Sequence, residues 1–326
     1  MIFKTIHNNS ILAYALMPLI LGGLWAKALL TKWMPEFPFD QLPMPLWNLV
    51  LSVVKGNHLY AALFSLGLAL INMMAVNRLV NRYGLLNKQS VLPGYIYLIL
   101  VSGYGVVQHL QPVWFYSPLL ILALERLFTA AGQRRPMSYC FDAAFWLSTG
   151  TLFYAKGIFL IPFIWAVIFI LRMFSFRTFL ASIIGLILPY FFAFCYYFWI
   201  GKQVDYFAIL MENFMSPVAF FEHSIVSKAY NVIIIGIIIF SILSLVRQMP
   251  TFKIITRKHY RIFIWLIVIC LLGSMTPYFS LEIISVMAIG GAVVLAQFFS
   301  SIQKNIWQEV FLIFLLVITL VAQYFI

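Results

Sequence analysis

The chain has 326 residues, of which 64% are hydrophobic and 9% are charged, whereas a soluble domain carries roughly 25% charged residues. This composition excludes an ordinary soluble protein and indicates an all-α, polytopic membrane protein without a separate soluble domain. The net charge of +12 does not indicate nucleic-acid binding, because an excess of Lys and Arg is a common topological signal in membrane proteins.

Apolar runs recur along the chain, and each is long enough to cross a hydrocarbon core roughly 30 Å thick. They predict one integral membrane domain, with a module over residues 1–200 and additional spans over 201–326. About eleven spans are expected, at 11–30, 58–77, 91–107, 112–127, 140–155, 158–172, 178–199, 229–246, 261–275, 277–299 and 308–326.

Three pairs of these spans are separated only by short polar or Gly/Pro breaks, which are typical of tight turns. The breaks lie at 108–112, at Lys156-Gly157 and at Thr276-Pro277. With these three hairpins, most of the 21 Lys and Arg residues fall on one side of the membrane, the side that the positive-inside rule assigns to the cytoplasm. The N-terminus is then inside, and we expect the protein in the bacterial cytoplasmic (inner) membrane.

The first long outer loop, residues 31–57, carries two acids and four closely spaced prolines. Glu36 and Asp40 precede a short, mostly apolar segment, Leu46 to Lys55, which predicts a helix lying along the membrane surface. A carboxylate at this depth can act as a general base toward a hydroxyl, or hold a divalent metal against a phosphate leaving group. Glu36 and Asp40 are therefore the candidate catalytic residues, and the alternative is that both are solvated loop acids.

Several residues near the outer surface are candidates for binding a lipid phosphate. Lys156 lies in the tightest outer turn, where it either extends to the headgroups or holds a phosphate. His58 and Tyr60 begin the second span and would complete a phosphate pocket with Lys55, although each alone is typical of a membrane interface.

The second outer loop, residues 200–228, supplies weaker candidates. Its segment Val204 to Met215 predicts a second surface helix able to cap a cavity. Glu222 and His223 could bind a metal, although two adjacent residues are a weak indication. Glu282 lies inside a predicted span and is held in reserve, because an acid buried in the bilayer costs at least about 2.5 kcal/mol without a partner.

Two further acids, Glu125 and Asp142, lie near the inner surface. Nearby arginines, including the Arg126 that follows Glu125, can neutralise them at that surface. We expect these two acids to have a structural role.

The layout of residues 1–200 resembles the GT-C superfamily of membrane glycosyltransferases. That resemblance implies transfer of a sugar or a similar group from a polyprenyl-phosphate donor on the outer side of the membrane. Asp40 would be the base or metal ligand, with Glu36 assisting, while Lys156, Lys55 and His58 hold the phosphate. The parts that match are the acids of the first loop, the helix Leu46 to Lys55, Asn72 to Val80 with Tyr83-Gly84, the stretch Phe115 to Leu127, and Lys156-Gly157.

The chain is also similar to a family of Bacteroidota inner-membrane proteins, a resemblance that implies no particular activity. Asp40 is followed by Gln41-Leu42-Pro43 and not by a tyrosine-containing helix as in many GT-C enzymes. This departure motivates a second hypothesis, a non-catalytic membrane scaffold or subunit that binds lipid or partner proteins. Transport is a third. Membrane lipids are the expected partners under each hypothesis.

Overall fold

The computed structural model describes residues 11–30, 42–54, 57–217, 224–302 and 305–325, and all the regular structure in these ranges is helical. The helices of the first half are α1 (Ile11–Leu24), α2 (Ala26–Leu30), α3 (Pro45–Val54), α4 (His58–Arg82), α5 (Leu92–Val101), α6 (Gly105–Gln108), α7 (Val113–Ala130) and α8 (Met137–Thr151). Those of the second half are α9 (Ile161–Ile170), α10 (Phe176–Trp199), α11 (Gln203–Met215), α12 (Ile225–Gln248), α13 (Ile254–Ser274), α14 (Ile283–Ser301) and α15 (Asn305–Phe325). Two short 3-10 helices, Ala155–Leu160 and Met249–Thr251, complete the list.

Within the described ranges, six helices are long and apolar enough to cross a membrane, which makes this an integral membrane protein by length and composition. They are His58–Arg82, Val113–Ala130, Phe176–Trp199, Ile225–Thr251, Ile283–Ser301 and Ile306–Phe325. Other predicted spans are shorter in the structure: α5 and α9 have ten residues each, or about 15 Å at 1.5 Å per residue. The count of eleven spans and the inside position of the N-terminus remain predictions.

The helices end near the three predicted breaks. The chain leaves helical geometry between α6 and α7, it forms the 3-10 helix Ala155–Leu160 between α8 and α9, and α13 and α14 are separated by residues 275–282. Side-chain caps fix other helix starts. Ser175 and Thr178 form a capping box at the start of α10, with each side chain accepting from the other residue's backbone N–H.

Helix α14 is the most buried of the six candidate spans, and it packs against α5, α12 and α13. Glycines permit the closest approaches between helices. A Cβ on Gly290 of α14 would lie 2.9 Å from the carbonyl oxygen of Phe263 on α13, and one on Gly185 of α10 would lie 2.5 Å from that of Phe141 on α8. Small residues at helix interfaces are a common way to bring membrane helices together.

The two acids expected to be structural are both paired with arginine. Glu125 is buried and accepts hydrogen bonds from Arg78, at 3.2 Å, and from Arg82. Asp142 lies 3.8 Å from Arg126, with both side chains partly exposed. The prediction that nearby arginines neutralise these acids is confirmed, although the partners of Glu125 lie 47 and 43 positions from it in the sequence.

Candidate functional site

A polar cavity of about 230 Å³ lies between the helices α3 and α11, the turn that follows α8, and the start of α14. We call it the headgroup cavity. Its walls combine apolar side chains with four charged or amide groups, and two of these, Lys156 and Glu282, come from segments far apart in sequence. The lining residues are Leu42, Met44, Trp47, Pro112, Phe153, Tyr154, Ala155, Lys156, Glu212, Asn213, Ser216, Pro217 and Glu282.

Lys156 lies on the first turn of the 3-10 helix and is 5% exposed. Its ammonium donates to the carbonyl oxygen of Phe214 at 3.4 Å and to that of Ser216, both at the end of α11. The same ammonium lies 5.3 Å from the centre of the Tyr278 ring, within the range of a cation–π contact. Burial lowers the pKa of Lys156, while the nearby carboxylates of Glu282 and Glu212 oppose this shift.

The position of Lys156 depends on the glycine that follows it. Gly157 lies against the buried ring of Tyr116, and a Cβ on Gly157 would come within 2.4 Å of that ring. The Tyr116 hydroxyl donates to the Gly157 carbonyl oxygen at 3.1 Å. Only glycine leaves room for both the ring and this hydrogen bond, so the pair holds the turn that carries Lys156.

Glu282 is the residue immediately before α14, outside the six candidate spans, and it is 1% exposed. Its Oε1 accepts a long hydrogen bond, 3.4 Å, from the Tyr154 hydroxyl. Its Oε2 is buried and has no hydrogen-bond partner among the described residues. Burial raises the pKa of Glu282 to about 7, against the opposing effects of nearby backbone N–H groups, the Tyr154 hydroxyl and Lys156.

Lys156 and Glu282 therefore face one cavity with opposite charge without contacting each other directly. Glu125 and Asp142 form ion pairs with arginines, whereas Lys156 and Glu282 do not form one with each other. Both groups line the same cavity, and neither forms an ion pair with the other. The cavity therefore has room for a polar ligand beside them.

Helix α11 closes one side of the headgroup cavity. Asn213 donates to the Leu42 carbonyl oxygen at 2.7 Å, which joins α11 to the segment leading into α3. Glu212 accepts a 2.6 Å hydrogen bond from the Ser216 hydroxyl and is itself exposed. The segment predicted as a second surface helix is thus helical and contributes polar groups to the cavity wall.

An apolar pocket of about 350 Å³ adjoins the headgroup cavity and shares Tyr154 and Lys156 with it. We call it the apolar pocket. It extends between the 3-10 helix, the end of α13 and the start of α14, and its remaining lining is mainly hydrophobic. These residues are Gly157, Phe159, Leu160, Ile269, Cys270, Leu272, Gly273, Thr276, Tyr278, Phe279, Ile283 and Val286.

The residues predicted from the sequence fall into three groups. Glu36, Asp40, Lys55, Glu222 and His223 lie outside the described residues, so their roles remain predictions.

Lys156 and Glu282, by contrast, line the same cavity. His58 and Tyr60 lie on the first turn of α4, and neither contributes to the wall of the headgroup cavity; Tyr60 is exposed. Leu42 and Pro217, which do line it, are the described residues next in sequence to the two acid-bearing loop segments.

The sequence reasoning did not select Tyr154, Asn213 or Tyr278. Tyrosine is common at membrane interfaces in general, and no spacing pattern connects any of the three residues to Lys156. The one available indication was the proximity of Tyr154 in sequence to the Lys156-Gly157 break. Within the described ranges, His, Cys, Asp and Glu side chains do not come together in groups of three or more that could hold a metal ion.

Comparison with known protein families, with proteins of established function and with solved structures found no match.

Proposed function

We propose that this integral membrane protein binds a polyprenyl-phosphate-linked substrate and transfers the group that it carries, as a GT-C-like enzyme at the outer surface of the cytoplasmic membrane. The observation that carries the proposal is the pair of adjoining spaces described above. The headgroup cavity offers a buried cation for a phosphate, and the apolar pocket continues from the same lysine for a hydrocarbon chain. A ligand with an anionic head and a long apolar tail fits both.

We assign the phosphate of the substrate to Lys156, because this residue is the buried cation of the cavity wall. A buried ammonium bonded to two neutral carbonyl oxygens retains its positive charge for an incoming anion. Electrostatic stabilisation of a leaving phosphate is worth more from a buried charge than from one in bulk solvent. Lys156 would therefore favour the charge that develops on the phosphate as the donor bond breaks.

The transfer step is a substitution at the carbon of the transferred group that is bonded to the phosphate oxygen. An acceptor hydroxyl attacks this carbon, the carbon–oxygen bond to the phosphate breaks, and the electron pair leaves with the prenyl phosphate. A carboxylate accepts the proton of the hydroxyl. Asp40, with Glu36 assisting, is the predicted base, and it precedes Leu42 of the cavity wall by only two residues in sequence.

A binding experiment tests the first half of this proposal. The purified protein in lipid nanodiscs is titrated with a short-chain prenyl phosphodiester, and Lys156→Met is compared with Lys202→Met. Lys202 is exposed and belongs to neither space, so its loss is the matched control. We expect at least about tenfold weaker binding for Lys156→Met, because a charge-assisted contact contributes roughly 1.5–3 kcal/mol, and no change for Lys202→Met.

The contacts of Lys156 also fit a second function, that of a non-catalytic scaffold. The same two hydrogen bonds to Phe214 and Ser216 attach α11 to the turn after α8, which is a purely structural role. Under this hypothesis, the wild-type protein does not bind the prenyl phosphodiester and Lys156→Met lowers stability alone. Thermal unfolding of the two lysine variants, measured beside the titration, separates the two functions.

A further inference from the structure

The headgroup cavity contains one charged group that the proposed function does not use. Glu282 is 1% exposed, lines the cavity, and keeps Oε2 without a partner among the described residues. The structural acid Glu125 differs from Glu282, because its carboxylate accepts hydrogen bonds from two arginines. A buried carboxylate oxygen that faces a ligand-sized cavity is typical of a group whose protonation state changes when a ligand fills the cavity.

We infer that binding of an anionic headgroup at Lys156 is coupled to the uptake of one proton by Glu282, so that the site takes up an anion and a proton together. This inference rests on the proposed function and adds to it a linked ion. The proton is released by the acid form of the buffer in the surrounding solution, which becomes its conjugate base, and is held on the unpartnered carboxylate oxygen of Glu282. No other covalent bond of the protein or the ligand forms or breaks.

The coupling follows from charge balance inside the cavity. With the cavity free of ligand and the pH above 7, the ammonium of Lys156 and the carboxylate of Glu282, both buried, balance each other. A bound anion adds a second negative charge, and two negative charges sharing a buried site disfavour the ionisation of one of them. Protonation of Glu282 restores neutrality, with Lys156 positive and the ligand negative.

The other titratable groups around Glu282 do not account for such an uptake. Tyr154 faces it from the turn after α8, and Tyr116 on α7 and Cys270 on α13 lie beyond, around Tyr154. The ordinary pKa values of these three groups are about 8.5 or higher. Glu212, on α11, is exposed and accepts from Ser216. Lys156 is the one competing group, since burial lowers its pKa and loss of its proton would also weaken anion binding.

The direction of the pH effect is fixed by the state of Glu282. Burial already raises its pKa to about 7 in the free protein, and the bound anion raises it further. Below pH 7 the carboxyl is protonated before and after binding, so affinity is highest there. Above pH 7 binding requires proton uptake, so affinity falls by up to about tenfold per pH unit until the pKa of the complex is passed.

The test is calorimetric titration in phosphatidylcholine nanodiscs with a farnesyl methyl phosphodiester, whose single charge is constant between pH 6 and 8.5. Two buffers of different ionisation enthalpy report the number of protons taken up. For the wild-type protein we expect about tenfold weaker binding at pH 8.5 than at pH 6, with net proton uptake between these values. Glu282→Gln is expected to bind at every pH as tightly as the wild type at pH 6, with no proton uptake.

Lys156→Arg separates Glu282 from the competing lysine, because an arginine side chain stays charged throughout the pH range. We expect Lys156→Arg to keep the pH dependence and Glu282→Gln to lose it. If Glu282→Gln keeps the dependence and Lys156→Arg loses it, or if Glu282→Gln binds more weakly than the wild type at pH 6, the inference is wrong while the proposed function stands. If the wild type does not bind the probe at any pH, the proposed function itself is wrong.

Dimethyl phosphate, which has the same charge and no tail, distinguishes a lipid headgroup from a free phosphate ester. We expect it to bind at least about a hundredfold more weakly, because the apolar pocket stays empty and each buried CH₂ contributes about 0.8 kcal/mol. Equal affinity for the two probes would overturn the lipid assignment and leave the proton coupling intact.

Discussion

Replacing Gly157 by alanine should destabilise the protein and displace the lysine of the headgroup cavity. An added Cβ would meet three atoms of the Tyr116 ring, at 2.4, 2.8 and 2.9 Å. The ring is fully buried, and its hydroxyl donates to the carbonyl oxygen of the same glycine. The ring therefore cannot move away without losing that hydrogen bond.

The magnitude follows from two effects. Overpacking a filled core costs typically 1–3 kcal/mol, or roughly the middle of that range for one methyl group. A buried hydroxyl and carbonyl that lose each other cost about another 1–3 kcal/mol. We therefore expect Gly157→Ala to lower the free energy of unfolding by about 3–5 kcal/mol. It should also weaken binding of the prenyl phosphodiester, because Lys156 follows the displaced turn.

Gly67→Ala is the matched control for this substitution. Gly67 lies in the middle of α4, and a Cβ added there meets no atom within 4 Å. Alanine is about 1 kcal/mol more favourable than glycine inside a helix, so this variant should be as stable as the wild type or slightly more stable. Denaturant unfolding in mixed micelles and the nanodisc titration measure both variants. Equal stability and equal affinity of Gly157→Ala and Gly67→Ala would refute the argument from the Tyr116 contact.

Three further predictions concern other groups. Glu125→Ala should lower the free energy of unfolding, measured with denaturant, by roughly 1–3 kcal/mol, because it removes a buried carboxylate that accepts from two arginines. Asp142→Ala should change it by less than about 1 kcal/mol, because Asp142 forms a single, partly exposed ion pair. Asp40→Asn should abolish transfer in a lipid-linked sugar assay while binding of the prenyl phosphodiester is unchanged, and retained transfer would remove Asp40 as the base. Tyr154→Phe removes the hydrogen bond to Glu282, which raises the pKa of that carboxyl further, so the fall in affinity should begin at a higher pH in the calorimetric titration.

The sequence was sufficient for the helical class and for the position of the chain breaks, and it predicted that arginines neutralise the two structural acids. Pro and Gly residues and short polar stretches end helices for local reasons. The sequence did not identify the partners of Glu125, because Arg78 and Arg82 lie 47 and 43 positions from it. Helix lengths were harder to predict, because the extent of an apolar run does not determine the residue at which a helix ends. The predicted span 58–77 is a helix to Arg82, and the predicted span 91–107 contains the ten-residue α5 and the separate short α6.

The site was predictable only in part. Lys156 was predicted from its place in a tight turn, and Glu282 from being an acid within a predicted span. No sequence pattern connected the two residues, which are 126 positions apart. Contacts between apolar helices depend on the shapes of their surfaces, which periodicity does not encode. The glycine contacts of Gly290 and Gly185 show how local that fit is.

The burial of two opposite charges that do not touch each other is itself an argument for a ligand. Removing a carboxylate or an ammonium from water costs several kcal/mol for each ion even after relaxation, and the whole stability of a folded domain is about 5–15 kcal/mol. A purely structural use of Lys156 and Glu282 would bring them into direct contact, as Glu125 is with its arginines. Because Oε2 of Glu282 has no partner among the described residues while an open cavity lies beside it, the missing interaction is the one that a bound anion and its accompanying proton would supply.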